Sequence, residues 1–269
     1  MVSLKCENVE GEHILAAETD KELQQLKKRF EDLAERSWQQ NLFTFSPFLS
    51  LAEQNVFFEA AEGKGWAYTI SGGMENTERQ MVRFGDSRQL GYEQPFPIVC
   101  LCIRPLQEKF ADDFTHRDFL GALMNLGIDR STVGDIFIDG KRAWVFCNET
   151  IAPYIQDSLT QVKHTSVKCV MTEGPDQIPE PRLKDVALNV AGLRCDNIVA
   201  EAYHLSRSQS LTLFRQKKVY VNGKLQENNS YQLKPQDLVS VRGFGRFIFR
   251  GEHHTTRKGR LSVGVSVFE

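Results

Sequence analysis

Basic side chains gather around two short helical patterns in the last third of the chain. Arg194 precedes the first pattern, Arg207 opens the second, and Lys217 and Lys218 are expected in the last turn of the second helix. The guanidinium of arginine is a planar fork that fits phosphate, and lysine supplies a compact positive charge. The free amides at a helix start can also bind phosphate. We therefore expect these side chains to converge on one phosphate-binding face.

The helices that must position these groups carry clear start signals. Residues 194–203 place apolar side chains at helical spacing. The second helix begins at Ser206 with a predicted capping box, in which the serine hydroxyl accepts the Gln209 amide and the glutamine side chain reaches back. Leu211 and Phe214 are the expected core positions of this helix.

A tight hairpin follows the two helices. Asn222-Gly223 supplies the two positive-φ residues of the turn, and residues 238–241 return as a strand. The order helix, helix, hairpin, strand predicts a compact module. After it, the segments RFIFRG and RLSVGVSVF are expected to pair as a second hairpin, with Phe247 and Phe249 in the core and Phe244 as a candidate for stacking on a base.

The charge of the chain is segregated. Residues 182–269 contain 15 Lys+Arg and 7 Asp+Glu, a net charge of +8, whereas residues 1–181 contain 18 and 28, a net charge of −10. This distribution favours a polyanion-binding module on an acidic body. Chance segregation is the alternative. A protein-docking role for the acidic body is compatible with either.

The C-terminal module resembles the S-four (S4) RNA-binding domain. Four motifs of that family stand in order as Arg194-Cys195-Asp196, Ser206-Arg207-Ser208, Val219-Tyr220-Val221-Asn222-Gly223-Lys224 and Lys234-Pro235-Gln236-Asp237. Cys195 replaces the usual leucine, Leu211 stands where a basic residue is common, and Lys217 where glycine often ends the helix. The expected RNA contacts are Arg194, Asp196, Asn197, Ser206, Arg207, Ser210, Lys217, Lys218, Asn222, Lys224, Arg242 and Arg246. Of these, Asp196 is better suited to orienting a neighbour or capping a helix than to reading a base.

The middle of the chain predicts a β-α-β-β-α-β order, the split plan shared by RNA-recognition motifs (RRM) and ferredoxin-like domains. The predicted elements are 97–105, 115–128, 134–140, 141–148, 150–162 and 166–172. Phe137, Trp144 and Phe146 are either base-stacking groups or core. Cys100 and Cys102 alternate on the first strand, which favours core packing.

The remaining organisation is predicted from helix signals and prolines. Residues 20–40 predict a helix capped by Asp20, and a second helix is expected to start at Ser50 and end at Gly63, before a strand at 66–71. The fold class is therefore α+β. The expected domains are a mainly helical region 1–77, an RRM-like domain 78–173 and an S4 domain 182–269, with a proline-rich linker at 172–181.

Nearly the whole chain resembles the bacterial YlmH family. The motifs that carry this resemblance are Gly72-Gly73, Glu78-Arg79, His116-Arg117-Asp118, Leu120-Gly121-Ala122-Leu123 and Gly134-Asp135-Ile136, followed by the S4 domain. Membership implies association with the large ribosomal subunit, with rRNA and tRNA as partners. It further implies a role in rescuing stalled nascent chains, in which the protein steadies a peptidyl-tRNA during tailing without a template.

An enzyme is the alternative, because S4 domains also accompany pseudouridine synthases and RNA methyltransferases. The aspartate of THRD at 115–118 superficially matches the synthase nucleophile, but here the S4 domain comes last and the middle domain is small. His116 and Asp118 are better explained as the start of a helix. We find no glycine-rich cofactor loop or nucleophile set, and interpret His253-His254 as surface or RNA-facing groups. No cofactor, metal or catalytic residue is therefore expected.

The composition points to the cytoplasm. The six cysteines lack a C-x-x-C pair, which fits free thiols. No apolar run has the roughly 18 residues that a membrane helix needs, and the N-terminus lacks the apolar core of a signal peptide. We therefore expect neither a membrane nor DNA as a partner.

Overall fold

The described part of the chain forms three sheets, each covered by helices. The computed structural model describes residues 7–172, 183–255 and 259–268. Most of the predicted linker at 172–181, together with Cys6, Arg257 and Lys258, lies outside these ranges. Within them, the mixture of helix and sheet confirms the α+β fold class.

The N-terminal unit packs helices on a small antiparallel sheet of order β1-β3-β2. Its elements are α1 (Glu7–Gln40), β1 (Thr44–Phe45), α2 (Leu51–Ala61), β2 (Tyr68–Ser71), β3 (Met81–Phe84) and α3 (Ser87–Leu90). The first helix starts well before Asp20, so the predicted cap at Asp20 was wrong. The predicted start of the second helix at Ser50 is confirmed, and Ser50 forms a capping box with Glu53 there. The helix ends at Ala61, slightly before the predicted end at Gly63.

The middle unit is a five-stranded antiparallel sheet with two helices on one face. Its elements are β4 (Ile98–Pro105), α4 (His116–Asn125), β5 (Val133–Asp139), β6 (Arg142–Asn148), α5 (Ala152–Ser158), β7 (Gln161–Val162) and β8 (Thr165–Met171). The order β5-β6-β4-β8-β7 confirms the split β-α-β-β-α-β plan. The last predicted helix is shorter than expected, because residues 161–162 form an edge strand.

The other face of this sheet is partly covered by the N-terminal unit. Phe48 and Met81 are fully buried against Trp144 and Phe146, which are 7% and 2% exposed. The approach is close, because a Cβ atom built on Gly134 would lie 2.7 Å from the Phe48 ring. Trp144 and Phe146 are therefore core groups and cannot stack on bases in this fold.

The C-terminal unit is a six-stranded sheet of order β11-β10-β12-β13-β14-β9 with two helices. Its elements are β9 (Leu183–Val190), α6 (Cys195–Ala202), α7 (Arg207–Arg215), β10 (Val219–Val221), β11 (Lys224–Leu225), β12 (Leu238–Val241), β13 (Gly245–Thr255) and β14 (Leu261–Phe268). The hairpin of β13 and β14 is confirmed, as is the core position of Phe247 and Phe249. Leu213 is the buried partner of Phe214 in α7, whereas the predicted Leu211 is only half-buried.

The sheets suggest a different division of the chain from the one based on sequence. Because β3 pairs with both β1 and β2, a boundary at residue 77 would split a hairpin. We propose that the N-terminal unit extends through α3 and that the middle unit begins shortly before β4.

Candidate nucleic-acid interface

Asp196 organises the start of the helix pair in the C-terminal unit. Its carboxylate accepts two hydrogen bonds from the Arg194 guanidinium, at 3.0 and 2.7 Å, and one from the Asn229 amide at 3.1 Å. The backbone N–H of Asn197 donates to it as well, at 3.0 Å. The side chain of Asp196 is buried, whereas that of Arg194 is 37% exposed. Asp196 therefore orients Arg194 and leaves its outer edge open to solvent.

The electrostatics of this pair fit a structural carboxylate. Burial by itself would raise the pKa of Asp196, but hydrogen bonds from Arg194 and Asn229 outweigh it and the pKa is lowered. The hydroxyl of Ser210, which is fully buried, donates to the Asp196 carbonyl at 2.8 Å and joins α6 to α7. The expectation that Asp196 and Ser210 contact RNA is therefore corrected: both stabilise the fold beneath the surface.

We expect the Asp196→Asn variant to lose about 1–3 kcal/mol of unfolding free energy at neutral pH, because a buried charge-assisted network is broken. A carboxylate whose folded pKa is lowered stabilises the protein above its unfolded pKa and loses that contribution as the pH falls. The difference between wild type and variant should therefore shrink below about pH 3.8, the ordinary aspartate value. Urea unfolding at a series of pH values measures it. A difference that is constant with pH would contradict the network.

The first group of basic residues lies at this end of the helix pair. Arg207 is the first residue of α7 and is exposed, and the capping box of Ser206 and Gln209 is confirmed. The Ser210 hydrogen bond sets this first turn against the start of α6, and so brings Arg207 to the same end as Arg194. The half-buried Asn197 lies on the first turn of α6. Ser206 is exposed but its hydroxyl is used by the cap.

A second group lies at the opposite end of α7. Lys217 and Lys218 follow the helix, which ends at Arg215, rather than lying in its last turn. The backbone N–H of Arg242 donates to the Lys218 carbonyl at 2.9 Å, so these two residues are neighbours. Lys217 pairs with Glu227 at 3.3 Å, whereas Arg242 is exposed. The predicted cations thus form two groups separated by the length of α7, roughly 13 Å for nine residues.

The hairpin residues Asn222 and Lys224 are engaged within the protein. Asn222 and Gly223 both have positive φ, which confirms the predicted turn. The Asn222 amide donates to Asp237 at 2.8 Å. The Lys224 ammonium lies 5.3 Å from the centre of the Phe58 ring on α2. This hairpin therefore docks the C-terminal unit on the N-terminal unit.

Arg246 joins the three units. Its guanidinium donates to the Asn76 carbonyl at 2.7 Å and lies 3.9 Å from Asp135 and 4.0 Å from Glu78. The same Asp135 carboxylate accepts the backbone N–H of Arg79 at 3.0 Å. Two of the motifs that carry the family resemblance, Glu78-Arg79 and Gly134-Asp135-Ile136, therefore meet here. Arg246 is largely buried in this junction, which makes it a connector rather than an open RNA contact.

Phe244 is an exposed aromatic group two residues after Arg242. It is 45% exposed and its ring lies 5.6 Å from that of Tyr203. Its position in the loop between Arg242 and Arg246 keeps the expectation of base stacking open.

His116 and Asp118 form the start of α4. Asp118 completes a capping box with Thr115 and forms an ion pair with Lys163 at 3.0 Å. The pKa of Asp118 is lowered first by the hydrogen bond from the Thr115 hydroxyl. The pKa of His116 is lowered by desolvation and then by the charge of Arg130. Helix capping therefore accounts for the THRD segment.

Over residues 7–172, 183–255 and 259–268, no three potential metal ligands of the His, Cys, Asp and Glu types come together. Over the same ranges, no helix combines the length and the apolarity that crossing a membrane requires.

Comparison with known proteins places domain families on two of the three units. A family model described as "Putative RNA-binding domain in YlmH" matches residues 93–174, and the S4 domain model matches residues 193–239. The Ribosome-associated protein quality control protein P2 of Bacillus subtilis (strain 168) is 28% identical over 220 residues, which cover 80% of this chain and 84% of that protein. The solved structure of Cell division protein ylmH from Streptococcus pneumoniae is 20% identical, with a TM-score of 0.48, and the match covers 59% of this chain and 95% of that chain.

Proposed function

We propose that the chain is a member of the YlmH family, since it matches both the domain family found in YlmH and the S4 domain family. We further propose that it binds structured RNA of the large ribosomal subunit. In this role it acts in quality control of stalled nascent chains, in line with the name of its Bacillus relative. tRNA is the second proposed RNA partner.

The observation that carries this proposal is the pair of basic groups along α7. Arg194 and Arg207 lie at one end, and Lys218 and Arg242 at the other. Arginine held by a buried carboxylate, as Arg194 is by Asp196, presents its remaining donors in a fixed direction, which favours phosphate binding with little loss of entropy. Two positive groups, one at each end of α7, suit the backbone of a folded RNA.

The proposed role is non-catalytic. The residues that come closest to a catalytic pattern, His116 and Asp118, are used to start α4. The buried thiols of Cys100, Cys147 and Cys169 have pKa values raised by burial to about 12, which keeps them protonated and unreactive at neutral pH.

Sedimentation through sucrose gradients tests the ribosomal part of this proposal. The tagged full-length chain is expected to travel with the large subunit in extracts and to be released as the salt concentration rises. Extracts in which translation is stalled should show a larger bound fraction. A chain that remains at the top of the gradient at low salt, or that follows the small subunit, would contradict the proposal.

A further inference from the structure

The N-terminal unit covers only part of one face of the middle sheet. The rest of that face, where β4 ends and β8 begins, is exposed. Side chains on a strand alternate between the two faces of the sheet. Arg104 therefore shares the face of Cys102, Lys168 shares that of Val170, and these strands pair directly. Both Arg104 and Lys168 are exposed. We call Arg104 and Lys168 the basic pair.

The basic pair is unfavourable within the folded chain. Arg104 on β4 and Lys168 on β8 are direct partners in the antiparallel register. Like charges directly opposite each other on neighbouring strands destabilise a sheet. Among the described residues, neither side chain forms an ion pair or a hydrogen bond with an acidic group.

Unlike the basic pair, the neighbouring cation Arg142 on β6 has acidic partners. Arg142 on β6 lies at the same level as Arg104, because Ala143 pairs with Ile103. Its guanidinium donates to Glu108 at 2.6 and 2.9 Å, and Asp139 is its partner across β5. Two of the three cations in this row thus lack the acidic neighbours that the third has.

An exposed apolar group stands beside the basic pair. Leu106 follows Arg104 by two residues, so it falls on the same side of the chain, and it is 63% exposed. Its backbone N–H donates to the Ser166 carbonyl, which keeps it alongside β8. A surface with two cations next to an exposed apolar side chain matches a nucleic acid strand whose bases are not paired, because such a strand offers phosphates and open base faces together.

We propose that this open half-sheet, centred on Arg104 and Lys168, binds single-stranded RNA. The site is separate from the S4 surface, and it explains how an RRM-like domain can bind RNA although the aromatic groups of its central strands are buried under Phe48. The inference rests on the proposed function and extends it. The middle domain would bind a single-stranded segment of the RNA, while the S4 domain binds the folded part.

The test compares two double variants of the full-length chain. Arg104→Gln with Lys168→Gln removes the basic pair. Arg36→Gln with Lys28→Gln removes one arginine and one lysine from the exposed surface of α1 and is the matched control. Fluorescence anisotropy measures the affinity of each variant for a labelled oligouridine strand and, in parallel, for a stable RNA hairpin.

The basic-pair variant is expected to bind oligouridine on the order of tenfold more weakly than the control at about 0.1 M salt, because each lost phosphate contact on a single strand lowers the salt slope by about 0.7. Its affinity for the hairpin should match that of the control. Its melting temperature should be equal or higher, because the repulsion is removed.

Three results would overturn the inference: equal oligouridine affinity in the two variants, no oligouridine binding by the wild type, or a lower melting temperature that accounts for the loss. The hairpin measurement separates this failure from that of the proposed function. If the wild type binds oligouridine but not the hairpin, the S4 proposal fails while the half-sheet site stands.

Discussion

Replacing Phe48 with alanine is expected to lower the free energy of unfolding by about 3–5 kcal/mol, the usual range for a buried phenylalanine. Phe48 is fully buried between the N-terminal unit and the middle sheet. The ring lies against Gly134, which has no side chain that could move into the cavity left by the truncation. Urea unfolding at neutral pH measures the change.

The control for this variant is Trp38→Ala, which removes a large aromatic side chain that is 75% exposed. That change should alter the unfolding free energy by no more than about 0.5 kcal/mol. The RNA affinity of the folded Phe48→Ala protein should stay within about twofold of wild type, because the part of the middle sheet that Phe48 covers makes no RNA contact. A loss below about 1 kcal/mol would contradict the description of this face as core.

The second large effect is expected at the S4 surface. The triple variant Arg207→Ala, Lys218→Ala, Arg242→Ala should bind structured RNA on the order of a hundredfold more weakly at about 0.1 M salt. Three phosphate contacts contribute nearly one unit each to the slope of log affinity against log salt. The slope should therefore fall by two to three units. The loss should be similar for RNAs of different sequence, because phosphate contacts carry no base information.

The matched control for this triple variant is Arg36→Ala, Lys28→Ala, Arg88→Ala, which removes the same residue types from exposed positions of the acidic N-terminal unit. It should leave both the affinity and the slope unchanged. Circular dichroism checks that both triple variants remain folded. If both variants lose affinity equally, binding depends on net charge alone, and the assignment of the surface to α7 is wrong.

The sequence was sufficient for the features that are encoded locally. The helix start at Ser50, the capping box at Ser206 and the Asn222-Gly223 turn each depend on residues within a few positions of one another, and all three are confirmed. The alternation of the middle strands was equally clear. The strand Leu183–Val190 was missed, although Val186, Leu188 and Val190 alternate, because its neighbour is the distant β14.

The assignment of the site residues could not be completed from the sequence, because it depends on tertiary contacts. Ser210 and Arg246 were both among the expected RNA contacts, yet Ser210 is buried between helices and Arg246 is held at a junction with Asn76. A position in the sequence does not say which way its side chain points in the fold. The basic pair was missed for the same reason, since Arg104 and Lys168 become neighbours only through the register of β4 and β8.

Ultraviolet crosslinking in cells, with sequencing of the bound RNA and mass spectrometry of the crosslinked peptides, tests the central claim most directly. The claim is that the S4 surface of the intact chain binds RNA of the large ribosomal subunit. The expected result is crosslinked peptides within residues 194–246 joined to large-subunit rRNA and tRNA. Crosslinks confined to residues 7–172, or RNA scattered over messenger sequences, would contradict it.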